Sequence, residues 1–202
     1  MKKRYGFFGG SFNPVTKAHI NLANIVINEY HLDKVVFVPM GDYYPKQDLA
    51  KEKQRYEMLK IAIKHQKKLE ISDIELNLPY SLTMLQAFQR IQQQYNEVEA
   101  YFIIGADNIK KLIHLPDFEE LAKTYQYIII ERNNDITKNE MYQNPILVRF
   151  KTHFNLIKDN PFEQISSTKV RELIQNKQEE EIETMLQQQV YEYIKVNKLY
   201  IN

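Results

Sequence analysis

Through the first two-thirds of the chain, short runs of apolar β-branched and aromatic residues alternate with segments in which apolar residues recur every three or four places. The runs at residues 5–8, 35–38, 71–74, 101–104 and 127–130 predict strands. Between them Ile20, Ala23, Val26, Ile27 and Tyr30, then Tyr56, Leu59, Ala62 and Ile63, then Leu82, Leu85, Phe88 and Ile91 keep helical spacing. Strands alternating with amphipathic helices are the signature of βαβ units, so the expected class is α/β with an open, doubly wound parallel sheet. A later apolar piece at residues 154–157 supplies a further strand. From Ser166 onward the spacing of Val170, Leu173, Ile174, Ile182, Met185, Leu186, Val190, Tyr193 and Ile194 is helical, which makes residues 166–202 a C-terminal helical portion. Residues 133–144, rich in Asn and charge, read as an exposed loop, and Glu179-Glu180-Glu181 as a solvated helix face. No repeat or linker divides the chain, and a length of 202 residues suits one domain spanning 1–202.

Composition narrows the chemistry. Twenty-seven Lys and Arg against 26 Asp and Glu leave a net charge of +1, with no basic excess to suggest a nucleic-acid surface, so a small-molecule partner is expected. The absence of cysteine excludes disulfides and thiolate-ligated metal, and suits a reducing, cytoplasmic setting. The basic start at Lys2-Lys3-Arg4 resembles a signal peptide, but its apolar run breaks at Gly9-Gly10 and reads as the first strand. No segment approaches the ~18 apolar residues of a membrane helix, so no membrane association is expected. His31, His65, His114 and His153 show no metal-ligand spacing, and no metal site is expected.

Two segments carry candidate chemistry. The first strand runs into Gly9-Gly10-Ser11-Phe12-Asn13-Pro14-Val15-Thr16-Lys17-Ala18-His19, followed by a helix. Two glycines there permit positive φ and let an anion approach the backbone. With Thr16 as N-cap, His19 falls in the first helical turn beside free N–H groups and the positive end of the helix dipole, an arrangement that suits phosphate oxygens. A tight strand-to-helix turn bearing a surface histidine fits the glycines equally well. The second segment, Ile165-Ser166-Ser167-Thr168-Lys169-Val170-Arg171, places hydroxyls at a helix start and a guanidinium three residues after Thr168. By itself it also fits an ordinary capped helix. Neither a GxxxxGK[ST] loop nor a GxGxxG fingerprint is present.

Together these segments resemble the nucleotidylyltransferase superfamily marked by a T/HxxH turn and an ISSTxxR helix start, and more closely the nicotinate- or nicotinamide-nucleotide adenylyltransferases. Val38-Pro39-Met40-Gly41-Asp42 leading to Lys46, Arg55 and Met58, Thr83-Met84-Leu85, and Phe102-Ile103-Ile104-Gly105-Ala106-Asp107 extend the likeness over nearly the whole chain, as do Val190-Tyr191-Glu192-Tyr193-Ile194 and Leu199-Tyr200. The resemblance implies strand order 3-2-1-4-5 and transfer of AMP from ATP, with Mg2+, to a pyridine mononucleotide in NAD biosynthesis. It also implies catalytic roles for His19, Lys46 and Arg171. ATP would be bound by Gly9, Gly10, Ser11, Phe12, Thr16, His19, Gly105, Asp107, Ser167, Thr168 and Arg171, and the mononucleotide by Ser11, Phe12, Lys46, Tyr80, Thr83, Phe118 and Arg132. The family commonly stacks the pyridine ring on tryptophan. This chain has none, and Phe118 or Tyr80 would supply a π-face instead, with Ile74 near the other position. Alternatives are another phosphorylated cofactor precursor as acceptor, such as phosphopantetheine, or a non-catalytic adenine-nucleotide sensor. A homo-oligomer is left open.

Overall fold

The computed structural model describes residues 2–45, 48–131, 143–157 and 160–201. Six strands, β1 (Lys3–Gly10), β2 (Lys34–Pro39), β3 (Leu69–Ile71), β4 (Val98–Gly105), β5 (Gln126–Ile130) and β6 (Phe154–Ile157), form one sheet in the order β3-β2-β1-β4-β5-β6. Every pairing is parallel. The expected order 3-2-1-4-5 is present, and the apolar piece at 154–157 adds β6 beside β5.

Parallel neighbours need crossovers, and these cover both faces of the sheet. Alternation along β1 shows the division. Phe8 packs into one apolar core with Ile20, Ala23, Met58, Val170 and Ile194, whereas Phe7 packs into the other with Phe88, Ile109, Leu121 and Leu147. The first face is therefore covered by α1 (Lys17–Glu29), α2 (Glu52–Ile63) and the late helices α7 (Ser167–Gln175), α8 (Glu179–Met185) and α9 (Gln188–Val196). The second is covered by α3 (Met84–Gln94), α4 (Ala106–Leu112), α5 (Phe118–Thr124) and α6 (Pro145–Arg149). The chain winds outward from β1 to β3 and then crosses to β4 on the other side of β1, so the crevice between the carboxyl ends of β1 and β4 is the topological switch point.

Local departures from the sequence reading have local causes. The third strand lies at Leu69–Ile71 rather than 71–74. Ser72 N donates to Phe37 O at 2.9 Å, and Ser72 Oγ then accepts from Ile74 N at 3.4 Å, turning the chain off the sheet. Leu82 precedes its helix, because Thr83 caps it by accepting from Gln86 N at 3.2 Å. The short helices α4, α5 and α6 escape periodicity altogether, since seven residues or fewer span only about two turns. Of the expected loop at 133–144, residues 133–142 lie outside the described residues, while Asn144 caps α6 through bonds from Ile146 N and Leu147 N. The Glu179–Glu181 run forms the exposed first turn of α8, where acidic side chains complement the helix dipole.

Candidate functional site

The turn after β1 sets the first half of the site. Gly9 and Gly10 are the last residues of β1, and neither adopts positive φ; that conformation falls instead on Phe12, at 47°. Gly10 makes room for the Phe12 ring, whose Cζ would stand 3.0 Å from a Cβ there. A Cβ on Gly9 would meet nothing within 4 Å, so its absence leaves open space over the strand end. Thr16 is the N-cap of α1, and His19 occupies its third helical position. His19 Nδ1 accepts from Thr16 N at 3.0 Å and lies 2.8 Å from Thr16 Oγ1. Because Nδ1 receives a backbone N–H, the neutral ring carries its proton on Nε2, giving a single oriented donor on the opposite edge. Phe12, 1 % exposed, packs edge-on against His19 at 5.2 Å and fixes the ring plane.

The second half is α7, bolted directly to that turn. Ser166 caps the helix by accepting from Lys169 N at 3.1 Å. Ser167 Oγ donates to Pro14 O at 2.8 Å, and Arg171 Nη1 donates to Asn13 O at 2.9 Å, across more than 150 residues of sequence. These two bonds bring the hydroxyl-plus-guanidinium helix start over the strand-one turn.

A buried polar network holds the turn from below. Asn13, fully buried, donates through Nδ2 to Asp48 O at 2.7 Å; its Oδ1 accepts from Ala50 N at 3.0 Å and from the Tyr200 hydroxyl at 2.8 Å. Arg55, also fully buried, donates to Ala50 O, Ser11 O and Met40 O at 2.7, 2.9 and 2.6 Å, and stands 3.5 Å from Asp42 Oδ1. Burial lowers the Arg55 pKa against the pull of Asp42, and burial raises that of Tyr200 against Arg171 and Arg55. Tyr200 thus bonds to the turn at Asn13 and feels the charge of both guanidinium groups.

Above this frame lies a cavity of about 710 Å3. Its first-face end is lined by His19, Ser166, Ser167, Thr168 and Arg171; it passes over Gly9, Gly10 and Ser11 at the sheet edge, and its second-face end is lined by apolar Phe7, Val38, Met84, Phe88 and Ile104 with Asn108 and Lys111. One space thus joins a donor-rich end suited to phosphates and an apolar end suited to a flat ring. Phe88 and Phe102 stack there at 3.4 Å, 15° from parallel.

The cavity gathers Gly9, Gly10, Ser11, His19, Ser167, Thr168 and Arg171 from the expected residues. Phe12 and Thr16 stand behind it, buried, shaping the turn and the imidazole. Gly105 caps α4 and Asp107 is exposed in its first turn, between the lining residues Ile104 and Asn108. Thr83 spends its hydroxyl capping α3, and half-exposed Tyr80 accepts from Arg90 at 3.1 Å; neither lines the cavity. Phe118 is enclosed in the second core and does not line the cavity; the aromatic lining is Phe7, Tyr44, Phe88 and Phe102. Lys46 and Arg132 lie outside the described residues. Sequence reasoning gave no role to Tyr44, Glu75, Asn108 and Lys111, all of which line the cavity. Only the i, i+3 spacing of Asn108 and Lys111 could have indicated a shared face; Tyr44 and Glu75 arrive on loops, which carry no period.

A switch-point crevice that pairs a histidine-bearing turn with a serine-threonine-arginine helix start is an arrangement suited to the phosphates of a nucleotide. The cytidylyltransferase-like family matches residues 7–173. A probable nicotinate-nucleotide adenylyltransferase of Caldicellulosiruptor bescii is 32% identical over 201 residues, covering 98% of each chain, and one of Clostridium acetobutylicum is 31% identical over the full length of both. In fold, the chain superposes on Plasmodium falciparum nicotinic acid mononucleotide adenylyltransferase complexed with NaAD with a TM-score of 0.82, at 21% identity and covering 98% of this chain and 97% of that one. The chain belongs to the cytidylyltransferase-like family and, within it, to the nicotinate-nucleotide adenylyltransferases.

Proposed function

We propose that the protein, acting as one unit over residues 1–202, joins ATP to nicotinate mononucleotide, or its amide, giving the dinucleotide and pyrophosphate. The observation that carries this reading is the opening of both phosphate-binding elements onto one cavity, with Arg171 and Ser167 bonded to the Asn13–Pro14 carbonyls of the histidine-bearing turn. An oxygen of the mononucleotide 5′-phosphate attacks the α-phosphorus of ATP; the bond to the β-phosphate bridging oxygen breaks, and pyrophosphate leaves with the electron pair. Such transfer asks the protein for alignment and charge neutralisation rather than a nucleophile. His19 Nε2–H donates to the α-phosphate as its charge redistributes. Ser167, Thr168 and Arg171 hold the β- and γ-phosphates at the start of α7, and Gly9 lets the α-phosphate approach the strand end. Gly105 and Asp107 meet the adenosine, Asp107 through ribose hydroxyls. Lys46 and Arg132 add positive charge along the nucleotides, and the apolar end around Phe88 takes the pyridine ring. Mg2+ enters as the counterion of the ATP phosphates. Among the described residues there is no cluster of three His, Asp or Glu side chains to hold a resident ion, and the hydroxyl and cationic donors suit an already metal-complexed triphosphate.

The test is pyrophosphate release from ATP and Mg2+ with nicotinate mononucleotide, nicotinamide mononucleotide and phosphopantetheine in parallel. Release only with a pyridine mononucleotide is expected. ATP binding without release from any acceptor would leave a nucleotide sensor and overturn the reading. In the same assay Arg171→Lys should lower kcat/KM at least tenfold, because an ammonium cannot keep the bond to Asn13 O while gripping two phosphate oxygens; a change under twofold would remove Arg171 from the site.

A further inference from the structure

The second-face end of the cavity holds an ionisable group for which the proposed reaction has no use. Glu75 lies on the loop between β3 and α3 and lines the cavity together with Tyr44, Met84 and Phe88. Its position is built. A Cβ on Gly41, in the loop after β2, would stand 2.5 Å from Glu75 O, so the two loops touch through a glycine-only contact. Glu52 ties the same loops together, accepting from Asp42 N at 3.1 Å and Asn77 N at 2.9 Å.

The charge of Glu75 is set by burial against the pull of its neighbours. Tyr44 has one hydroxyl proton, and it donates that proton to Leu82 O at 3.0 Å. The pull of the Tyr44 side chain on Glu75 favours the carboxylate, so it opposes protonation, and burial alone favours the neutral acid. Burial pushes Glu75 up to about 7, against opposing pulls from Tyr44 and from Arg90 on α3. Lys111 on α4, His19 on α1 and Arg171 on α7 are the other charged or titratable groups among the described residues that line the cavity. Glu75 therefore changes charge within the working pH range, at the apolar end where a ring substituent would sit.

Resting on the adenylyl-transfer reading above, we propose that Glu75 is a specificity-determining residue that reads the substituent on the pyridine ring. As the neutral acid it admits a carboxylate, sharing its proton across a short charge-assisted bond; as the anion it repels a carboxylate and accepts the N–H of a carboxamide. Nicotinate mononucleotide thus needs the protonated site, whereas nicotinamide mononucleotide binds either form.

The experiment compares kcat/KM for nicotinate mononucleotide with kcat/KM, or the competitive inhibition constant, for nicotinamide mononucleotide between pH 6 and 8. Titration of the 5′-phosphate is common to both and cancels in the ratio. The preference for the acid is expected to fall about tenfold over this range in the wild type, following the protonated fraction of a group near pH 7. In Glu75→Gln the ratio should be flat. A wild-type ratio constant within twofold overturns the inference while leaving adenylyl transfer standing, and so does a pH slope that survives in Glu75→Gln. Turnover with neither mononucleotide removes both. A second readout needs no turnover. The native state favours the neutral acid, so stability from this group is present below about pH 4.5 and lost as pH rises through about 7. The wild-type Tm should therefore drop relative to Glu75→Gln across that window; parallel Tm profiles would show the carboxyl is not held protonated and would sink the proposal. Should Glu75→Gln fail to fold, the wild-type ratio alone decides.

Discussion

Replacing His19 with alanine is expected to lower kcat by roughly a hundredfold to a thousandfold, the scale of losing one transition-state donor. The geometry makes this donor specific. Thr16 N–H occupies Nδ1 at 3.0 Å, Phe12 packs edge-on to the ring, and the remaining N–H emerges where His19 lines the cavity opposite the start of α7. A ring fixed on two sides reaches the same point in every turnover, so little of its effect is recoverable by solvent. The fold should be nearly untouched, since the residue lies in the first turn of α1 and its Nδ1 contacts are to Thr16 of the same turn. Steady-state kinetics with unchanged thermal unfolding would fit; a fall below tenfold would contradict the assigned role.

The second large effect is structural. Arg55→Met is expected to lower stability by about 3 kcal/mol or more, because three carbonyls, of Ser11, Met40 and Ala50, lose a donor in a place water does not reach, at about 1–3 kcal/mol for each group left unsatisfied. For a chain of this size that corresponds to a Tm roughly 10 °C lower. Methionine fills most of the volume, so the loss reports hydrogen bonding rather than a cavity. Activity should suffer too, since Ser11 and Met40 belong to the loops that wall the phosphate end. A Tm within about 3 °C of wild type would show that the carbonyls find other partners.

These two residues also mark what could be read from the sequence. His19 was legible because its chemistry is local: a strand, a glycine pair, a cap and a helix follow one another in the chain, and each leaves a residue-type signature. The start of α7 was legible for the same reason. That the two ends meet was carried by the family resemblance and not by either segment alone; in the fold it follows from two bonds, Ser167 to Pro14 and Arg171 to Asn13, between groups far apart in sequence. Arg55 stood out only as a matching position, because a buried guanidinium serving three carbonyls looks like any basic residue on a helix. The ring end was the least legible. Phe118 and Phe88 both belong to apolar runs, and only the packing of α3 against β4 decides that Phe88 faces the cavity while Phe118 is enclosed in the core. Tyr44 and Glu75 sit on loops whose mutual placement depends on Gly41 and Glu52, a contact no spacing rule encodes.

The glycine pair gives a subtler lesson. Of its two expected uses, positive φ and close approach of an anion, the first is not taken up: both residues remain in strand geometry and the left-handed residue is Phe12. Glycine at position 9 leaves an open approach over the sheet edge, which is a statement about a ligand rather than about the turn.

The grip of two distant elements on a single triphosphate is tested most directly by a crystal structure with a methylene-bridged, non-hydrolysable ATP analogue. The account predicts an α-phosphate oxygen within hydrogen-bonding distance of His19 Nε2 and β- or γ-phosphate oxygens on Ser167, Thr168 and Arg171 of the same bound molecule. Phosphates that touch only one of these elements, or that bind elsewhere on the protein, would contradict it.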